Sequence, residues 1–296
     1  MPTAPAPTPA APVPPIQGNT RVFMILGDPV AQVRAPELFN SLFAEHGINA
    51  VLVPAEVAPA DLAGFTQHTL KARNIDGLWL TIPHKAAMVP LLDHCDDVGR
   101  SAGAVNAARR NADGSLEGAL FDGLGFAKSL DHFGINCAGR RVLILGAGGA
   151  GLAIAATLAQ RAPAELALFD PQAGRATEVV ERLQPATSTP LVVATGSDPA
   201  GFDVVINASP LGLKPTDPLP CDVNRLAPDA AVVDILMKNQ PTPLLQACHA
   251  RGIVAHPGFE MLVQQVPEYL EFFGYPALAA AVQANPARVR ALFQAE

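Results

Sequence analysis

The chain has 296 residues, of which 49% are hydrophobic and 16% charged, and a net charge of −7. That length and balance describe a globular protein with room for two domains and exclude a chain too polar to bury a core. The acidic charge and the lack of a basic stripe exclude a phosphate-backbone binder, so no nucleic-acid partner is expected. The first nineteen residues hold seven prolines by Pro15, much alanine and no charge, which reads as a disordered or polyproline-like tail over residues 1–19. It lacks the basic start and unbroken apolar core of a secretory signal. No apolar run further on is long enough for a bilayer span, so a cytoplasmic protein with no membrane partner is expected.

Arg21–Leu26 reads as a first strand, followed by the turn Gly27-Asp28-Pro29. Pro36 opens a helix that runs to His46 and stops at Gly47. Ala50–Val53 is a second strand, a helix follows from Pro59 to about Arg73, and Gly77–Thr81 is a third strand ending in Ile82-Pro83-His84-Lys85. A helix then runs to about Leu92. Val105–Arg109 and Ser115–Ala119 flank Asn111-Ala-Asp-Gly114, a hairpin signal. Alternating β and α units with one antiparallel pair imply a mixed α/β sheet. Asp122–His132 is a helix taken as the bridge between domains.

The following unit is the most informative stretch. Val142–Leu145 is a short apolar strand, and Gly146, Gly148 and Gly151 follow it in G-x-G-x-x-G spacing. The three glycines suit a tight turn, approach of a pyrophosphate to bare backbone, and close helix–strand packing. A helix from about Gly149 to Arg161 aims its N-terminal N–H groups at such a pyrophosphate. Leu166–Phe169 is the next strand, and Asp170 ends it nineteen residues after Gly151. An acid there accepts hydrogen bonds from an adenosine ribose and repels a 2′-phosphate, so NAD is the expected cofactor rather than NADP. Strands at Leu191–Val193, Asp203–Asn207, Ala231–Ile235 and Gly252–Ala255, with helices at Gly174–Leu183 and Thr242–Arg251, complete a doubly wound domain. Phe259–Phe273 has helical spacing and is expected to pack back on the first domain; Tyr275–Glu296 holds one or two more helices. The expected division is therefore 20–122 plus 259–296 as a substrate-binding catalytic domain and 123–258 as the dinucleotide-binding domain.

Cys95, Cys137, Cys221 and Cys248 lack C-x-x-C spacing and read as reduced thiols, and no metal site is expected. A nicotinamide needs a partner group that handles one proton, facing the carboxyl ends of the strands in the cleft between domains. Lys85 after the third strand and Asp122 at the domain junction stand at such places. Their bland alternatives are a solvated lysine and a helix N-cap. His84 and Trp79 read as packing residues.

Over roughly Val22 to Phe273 the sequence resembles the shikimate/quinate dehydrogenase family. The matching pieces are Gly27-Asp-Pro-Val-Ala with Pro36, Gly77-x-x-x-Thr81-Ile-Pro83-x-Lys85, Gly103-Ala-Val-Asn106 and Asp122-Gly123-x-Gly125. Gly146-Ala-Gly-Gly-Ala150, Asn207-Ala-x-Pro-x-Gly212, Thr242-Pro-x-Leu-Leu and Met261-Leu-Val-x-Gln265 follow in order. The resemblance implies a mixed α/β substrate domain beside a Rossmann-type doubly wound domain. It implies Lys85 as general base in alcohol oxidation, Asp122 as its partner, and Asn106 and Gln265 as substrate contacts. Gly146, Ala147, Gly148, Gly149, Ala150, Gly151, Asp170, Ala208, Met237 and Gly258 form the implied cofactor-binding set.

The departures from the family cluster on the substrate side. The two serines that hold a substrate carboxylate become Val33 and Ala35, an asparagine becomes Trp79, and Phe121 stands where threonine is common. Ala107 and Met237 replace a threonine and a tyrosine. Gln32 and Arg34 alternate in direction with 33 and 35, so Arg34 is no simple substitute. Each lost hydrogen bond to a carboxylate costs ~1.5–3 kcal/mol. The expected activity is thus NAD-dependent oxidation of a cyclic secondary alcohol, shikimate-like, quinate-like or less polar. The cofactor positions read Asp170-Pro171-Gln172 where many members carry Asn-Arg-Thr, which resembles the NAD-preferring branch. Two alternatives stay open: a true shikimate or quinate dehydrogenase with a rebuilt carboxylate site, and a catalytically silent NAD-binding regulator. Oligomeric state is open, a homodimer included.

Overall fold

A computed structural model describes residues 15–214 and 216–294. The expected tail lies outside them as far as residue 14. Its last residues form a turn instead: the Gln17 N–H donates to Thr20 Oγ1 at 2.8 Å, and Asn49 donates to Asn19 Oδ1 at 2.9 Å. The chain packs as two compact units. The first holds the residues up to Asp93 together with Ala107–Glu117, and the second holds His94–Asn106 and Gly118–Glu296.

In the first unit β1 (Arg21–Gly27), α1 (Ala35–Glu45), β2 (Ala50–Glu56), α2 (Leu62–Thr69), β3 (Ile75–Leu80) and α3 (His84–Met88) alternate. β1 pairs in parallel with β2 and with β3. β2 extends three residues beyond its expected end, through Pro54, which sits opposite Ile25. An edge strand tolerates proline because the missing N–H faces away from its only partner. β4 (His94–Cys95) and α4 (Asp97–Ala102) belong to the second unit and have no counterpart in the sequence reading. α4 is short but fully capped: the Asp96 carboxylate accepts the Gly99 N–H at 3.0 Å, and Gly103 closes it at φ +62°. β5 (Ala107–Arg110) runs antiparallel to β3, and β6 (Leu116–Ala119) follows the Asn111–Gly114 turn.

The second unit continues with α5 (Asp122–His132), β7 (Arg141–Leu145), α6 (Gly149–Leu158), β8 (Glu165–Phe169), α7 (Arg175–Leu183) and β9 (Leu191–Val193). Then come β10 (Val204–Asn207), β11 (Ala231–Asp234), α8 (Pro243–Ala250), β12 (Val254–Pro257), α9 (Glu260–Phe272), α10 (Pro276–Ala284) and α11 (Ala287–Gln294). Its parallel sheet has the order β12-β11-β10-β7-β8-β9. That is the doubly wound Rossmann order, and it reverses between β7 and β10. The strands are apolar on both faces because helices cover both. Val142 and Ile144 face a core with α5, α6 and α7, and Leu143 and Leu145 face one with α8.

The packing divides the chain elsewhere than at the expected boundaries, which joined 259–296 to the N-terminal domain and treated Asp122–His132 as a bridge. α5 is instead the centre of the second unit, held by two glycines. A Cβ at Gly123 would lie 2.1 Å from the Ala153 carbonyl oxygen of α6, and one at Gly125 would lie 2.5 Å from the Met261 oxygen of α9. The three helices therefore approach at backbone contact.

Candidate active site

The switch point of the sheet is built from backbone. Gly146 has φ +104°, and a Cβ there would lie 2.7 Å from the Ala208 carbonyl at the end of β10. A Cβ on Gly151 would sit 1.9 Å from the Gly146 oxygen, so α6 starts directly over the turn. Gly148 and Gly149 have nothing within 4 Å of their Cβ positions, and no side chain caps α6. Uncapped N–H groups beside open space suit a pyrophosphate. Ala147 and Ala150 complete the turn. Asp170 ends β8 with its carboxylate already turned to this loop: Oδ2 accepts the Ala147 N–H at 2.8 Å and Oδ1 the Gln172 N–H at 2.9 Å. Arg175 Nη1 stands 4.0 Å from the same carboxylate. Gly258 lies against β11, where a Cβ would meet Ile235 Cα at 2.4 Å. Met237 is 42% exposed on the segment after β11. These residues fit an adenine dinucleotide along the carboxyl ends of β7, β8, β10 and β11.

The second unit also gathers Asn106, Phe121, Asp122 and Gln265. Asn106 Oδ1 accepts the Phe121 N–H at 2.9 Å, which sets the amide orientation. Its Nδ2 is then left without a hydrogen-bond partner, in a residue only 1% exposed. Gln265 is 8% exposed, and its Oε1 lacks a partner too. An unmet buried donor and an unmet buried acceptor each cost about 1–3 kcal/mol unless a ligand meets them. Gly125 makes this possible, since its Cβ would lie 2.9 Å from Gln265 Cβ. Asp122 is buried as the first residue of α5. Phe121 packs edge-on against Tyr269 at 5.1 Å and Phe272 at 5.6 Å. Tyr269 donates to the Asn106 carbonyl at 3.4 Å. Burial first, and then the Asp122 charge, push its phenol well above the usual tyrosine range, so it stays a protonated donor. The sequence reading passed over Tyr269; its spacing of four from Gln265 on one helix face was the available signal.

In the first unit Lys85 is half-buried on α3. The helix is pinned on its inner side by His84 and Met88, both fully buried. His84 Nε2 donates to the Val57 carbonyl at 2.8 Å, so this ring anchors the turn that carries Lys85. Val33 and Ala35 are half-buried around the start of α1. Gln32 donates to the Pro29 carbonyl at 2.9 Å, and Arg34 lies 3.9 Å from Glu37. Trp79 stands edge-on to Phe23 and Phe39, each at 5.2 Å, as part of the core behind β3. Among the described residues no cluster of three His, Cys, Asp or Glu could hold a metal ion. None of the helices there is long and apolar enough to cross a membrane.

Residues 25–108 match the family model described as the shikimate dehydrogenase substrate binding domain. A shikimate dehydrogenase (NADP(+)) from Rubrobacter xylanophilus is 36% identical over 86% of this chain and 90% of its own length. The chain belongs to the shikimate dehydrogenase family. Two solved structures of similar fold extend the comparison. Quinate dehydrogenase from Corynebacterium glutamicum in complex with NAD has a TM-score of 0.80 at 26% identity, covering 94% of this chain and 99% of its own. Ligand-free 5-ketofructose reductase of a Gluconobacter strain has a TM-score of 0.79 at 27% identity, covering 90% and 98%. In this chain Lys85 and Asp122 stand with apolar residues at positions 33, 35 and 121.

Proposed function

We propose that the protein is an NAD-dependent oxidoreductase acting on the CH–OH group of a cyclic secondary alcohol less polar than shikimate. The observation that carries this reading is the pair of unmet amide groups, Asn106 Nδ2 and Gln265 Oε1, in the unit that also holds Asp122. One donates and the other accepts, which suits neutral hydroxyl groups on a ring. Val33, Ala35 and Phe121 offer no donor to a carboxylate, and Trp79 is engaged in aromatic packing. 5-Ketofructose, the substrate in the name of one neighbour, carries no carboxyl group, so this fold also serves neutral substrates.

When bound, the nicotinamide supplies or accepts the hydride. Lys85 takes the hydroxyl proton during oxidation and returns it during reduction. Asp122, in the second unit, is the hydrogen-bond acceptor for a substrate hydroxyl in this reading. Asn106 and Gln265 orient the ring by its other hydroxyls. Asp170 receives the adenosine ribose, and its charge disfavours a 2′-phosphate. The quinate dehydrogenase neighbour in complex with NAD supports this choice. The curated relative carries NADP(+) in its name and Arg175 adds a positive charge near Asp170, which favours a second reading as a shikimate dehydrogenase using NADP.

A screen of NAD and NADP reduction over cyclic hydroxy acids and neutral cyclic polyols, with Lys85→Ala as control, separates the readings. Turnover of a neutral alcohol with NAD is expected. Efficient turnover of shikimate at low concentration, or tighter NADP than NAD binding by calorimetry, overturns the corresponding half of the proposal.

A further inference from the structure

A buried carboxylate outside the residues assigned above sits behind the nicotinamide-side candidates. Asp234, at the end of β11, is 0% exposed. Its Oδ1 accepts from Asn207 Nδ2 at 3.0 Å and from the Leu236 N–H at 3.2 Å, and its Oδ2 accepts from Thr242 Oγ1 at 2.6 Å. The direction of these bonds is set by their surroundings. Thr242 Oγ1 accepts the Leu245 N–H at 3.3 Å as the N-cap of α8, so its own proton points to Asp234. Asn207 Oδ1 is occupied by the Ser209 N–H at 3.1 Å and the Ser209 hydroxyl at 2.6 Å, so its amide nitrogen faces the carboxylate. Three donors converge on its two oxygens and favour the charged form, against burial, which pushes its pKa above the usual carboxylate range.

Two arms of this network end beside residues expected to face the cofactor, and the backbone of Asp234 itself holds a third. Ala208 follows Asn207 directly. Met237 follows Leu236, whose N–H is held. Gly258 donates its N–H to the Asp234 carbonyl at 2.6 Å. The two connecting segments are also tied together, since Asn239 Nδ2 donates to the Leu213 carbonyl at 2.8 Å. We propose that Asp234 is a positioning residue for cofactor binding, its carboxylate, oriented by Thr242, setting through Asn207 and Leu236 the relative placement of Ala208 and Met237, beside Gly258 held on its backbone carbonyl. The inference rests on the dinucleotide reading above and adds to it a residue that does not touch the cofactor. The carboxylate acts by orienting backbone, so its loss shifts the segments that carry Ala208 and Met237 together.

The test uses the full chain with NAD, calorimetry for binding, and steady-state kinetics with an alcohol found active in the screen. Thr242→Val deletes one donor at nearly constant volume. It is expected to raise the NAD Kd and KM roughly tenfold, as for loss of one charge-assisted hydrogen bond, while the alcohol KM moves less than about twofold. Thr242→Ser restores the hydroxyl and recovers the wild-type NAD values. Asp234→Asn sets an amide donor against existing donors and raises the NAD Kd at least as far; if it does not fold, the Thr242 pair decides alone. A lowered Tm in Thr242→Val with unchanged NAD Kd overturns the inference and leaves a purely structural clasp. Equal rises in both KM values overturn it as well. A wild-type chain that binds neither NAD nor NADP refutes the dinucleotide reading and this inference with it. Wild-type binding that Thr242→Val leaves untouched refutes this inference alone.

Discussion

The proposed cofactor side and the proposed substrate side of the second unit are built on opposite principles. The first is backbone: Gly146, Gly148, Gly149 and Gly151 matter for side chains they lack, and the one acid among them, Asp170, is bonded to the Ala147 and Gln172 N–H groups. The second is side chain: Asn106, Asp122 and Gln265 come from segments 16 and 143 residues apart, as counted along the chain, and meet through the packing of α5 on α9. A backbone site tolerates little change without losing the fold. A side-chain site can exchange a wall residue such as Phe121 while keeping its polar groups. One family member can thus retain its cofactor and alter its substrate.

The largest test of that contrast is Lys85→Ala, expected to lower kcat by about 10²–10⁴ while the NAD Kd stays within about twofold. Parallel loss of NAD affinity in calorimetry breaks the separation between the two sides. Next is Gly151→Val, whose Cβ would lie 1.9 Å from the Gly146 oxygen. It is expected to cost about 1–3 kcal/mol of stability and most NAD affinity, measured by thermal unfolding and calorimetry. A variant as stable and as tight as wild type shows that the turn is not under backbone constraint. Gln265→Ala is expected to raise the alcohol KM about tenfold with little change in NAD Kd, because it removes an acceptor but no other recorded bond. An unchanged KM means that the unmet oxygen does not face substrate. The smallest effect belongs to Val33→Ser combined with Ala35→Ser, expected to improve shikimate kcat/KM by roughly threefold to tenfold, within the range of one new hydrogen bond. No gain puts the substrate change elsewhere than in this loop.

Much of the architecture was legible in the chain. β1, β3, β7, β8 and β10 follow from short apolar runs bounded by turn residues, and α5 begins and ends where its expected boundaries lie. Local chemistry dominates there, since burial on both faces demands unbroken apolar strands. β4 and α4 were not legible, because two residues of strand and six of helix are too short for periodicity to register. The close packing of α9 on α5 was not legible for another reason. It depends on Gly125 of α5, and a glycine in a helix does not announce which neighbour it admits. His84 shows the same limit: its sequence position says only that it precedes Lys85, whereas the fold uses its ring to anchor that turn on Val57.

By itself the sequence determined the doubly wound sheet, the glycine-rich turn and the acid at Asp170, because each rests on residues close together in the chain and on backbone conformations few residues adopt. It also singled out Lys85, Asp122, Asn106 and Gln265 by resemblance. Tertiary structure alone decided that Asn106 and Gln265 hold unmet polar atoms, that Tyr269 joins them, and that Asp234 ties Ala208, Met237 and Gly258 into one network. The reason is physical: a hydrogen bond is made or withheld according to which distant atoms burial brings within about 3 Å, and that depends on helix and strand packing that a linear pattern does not encode.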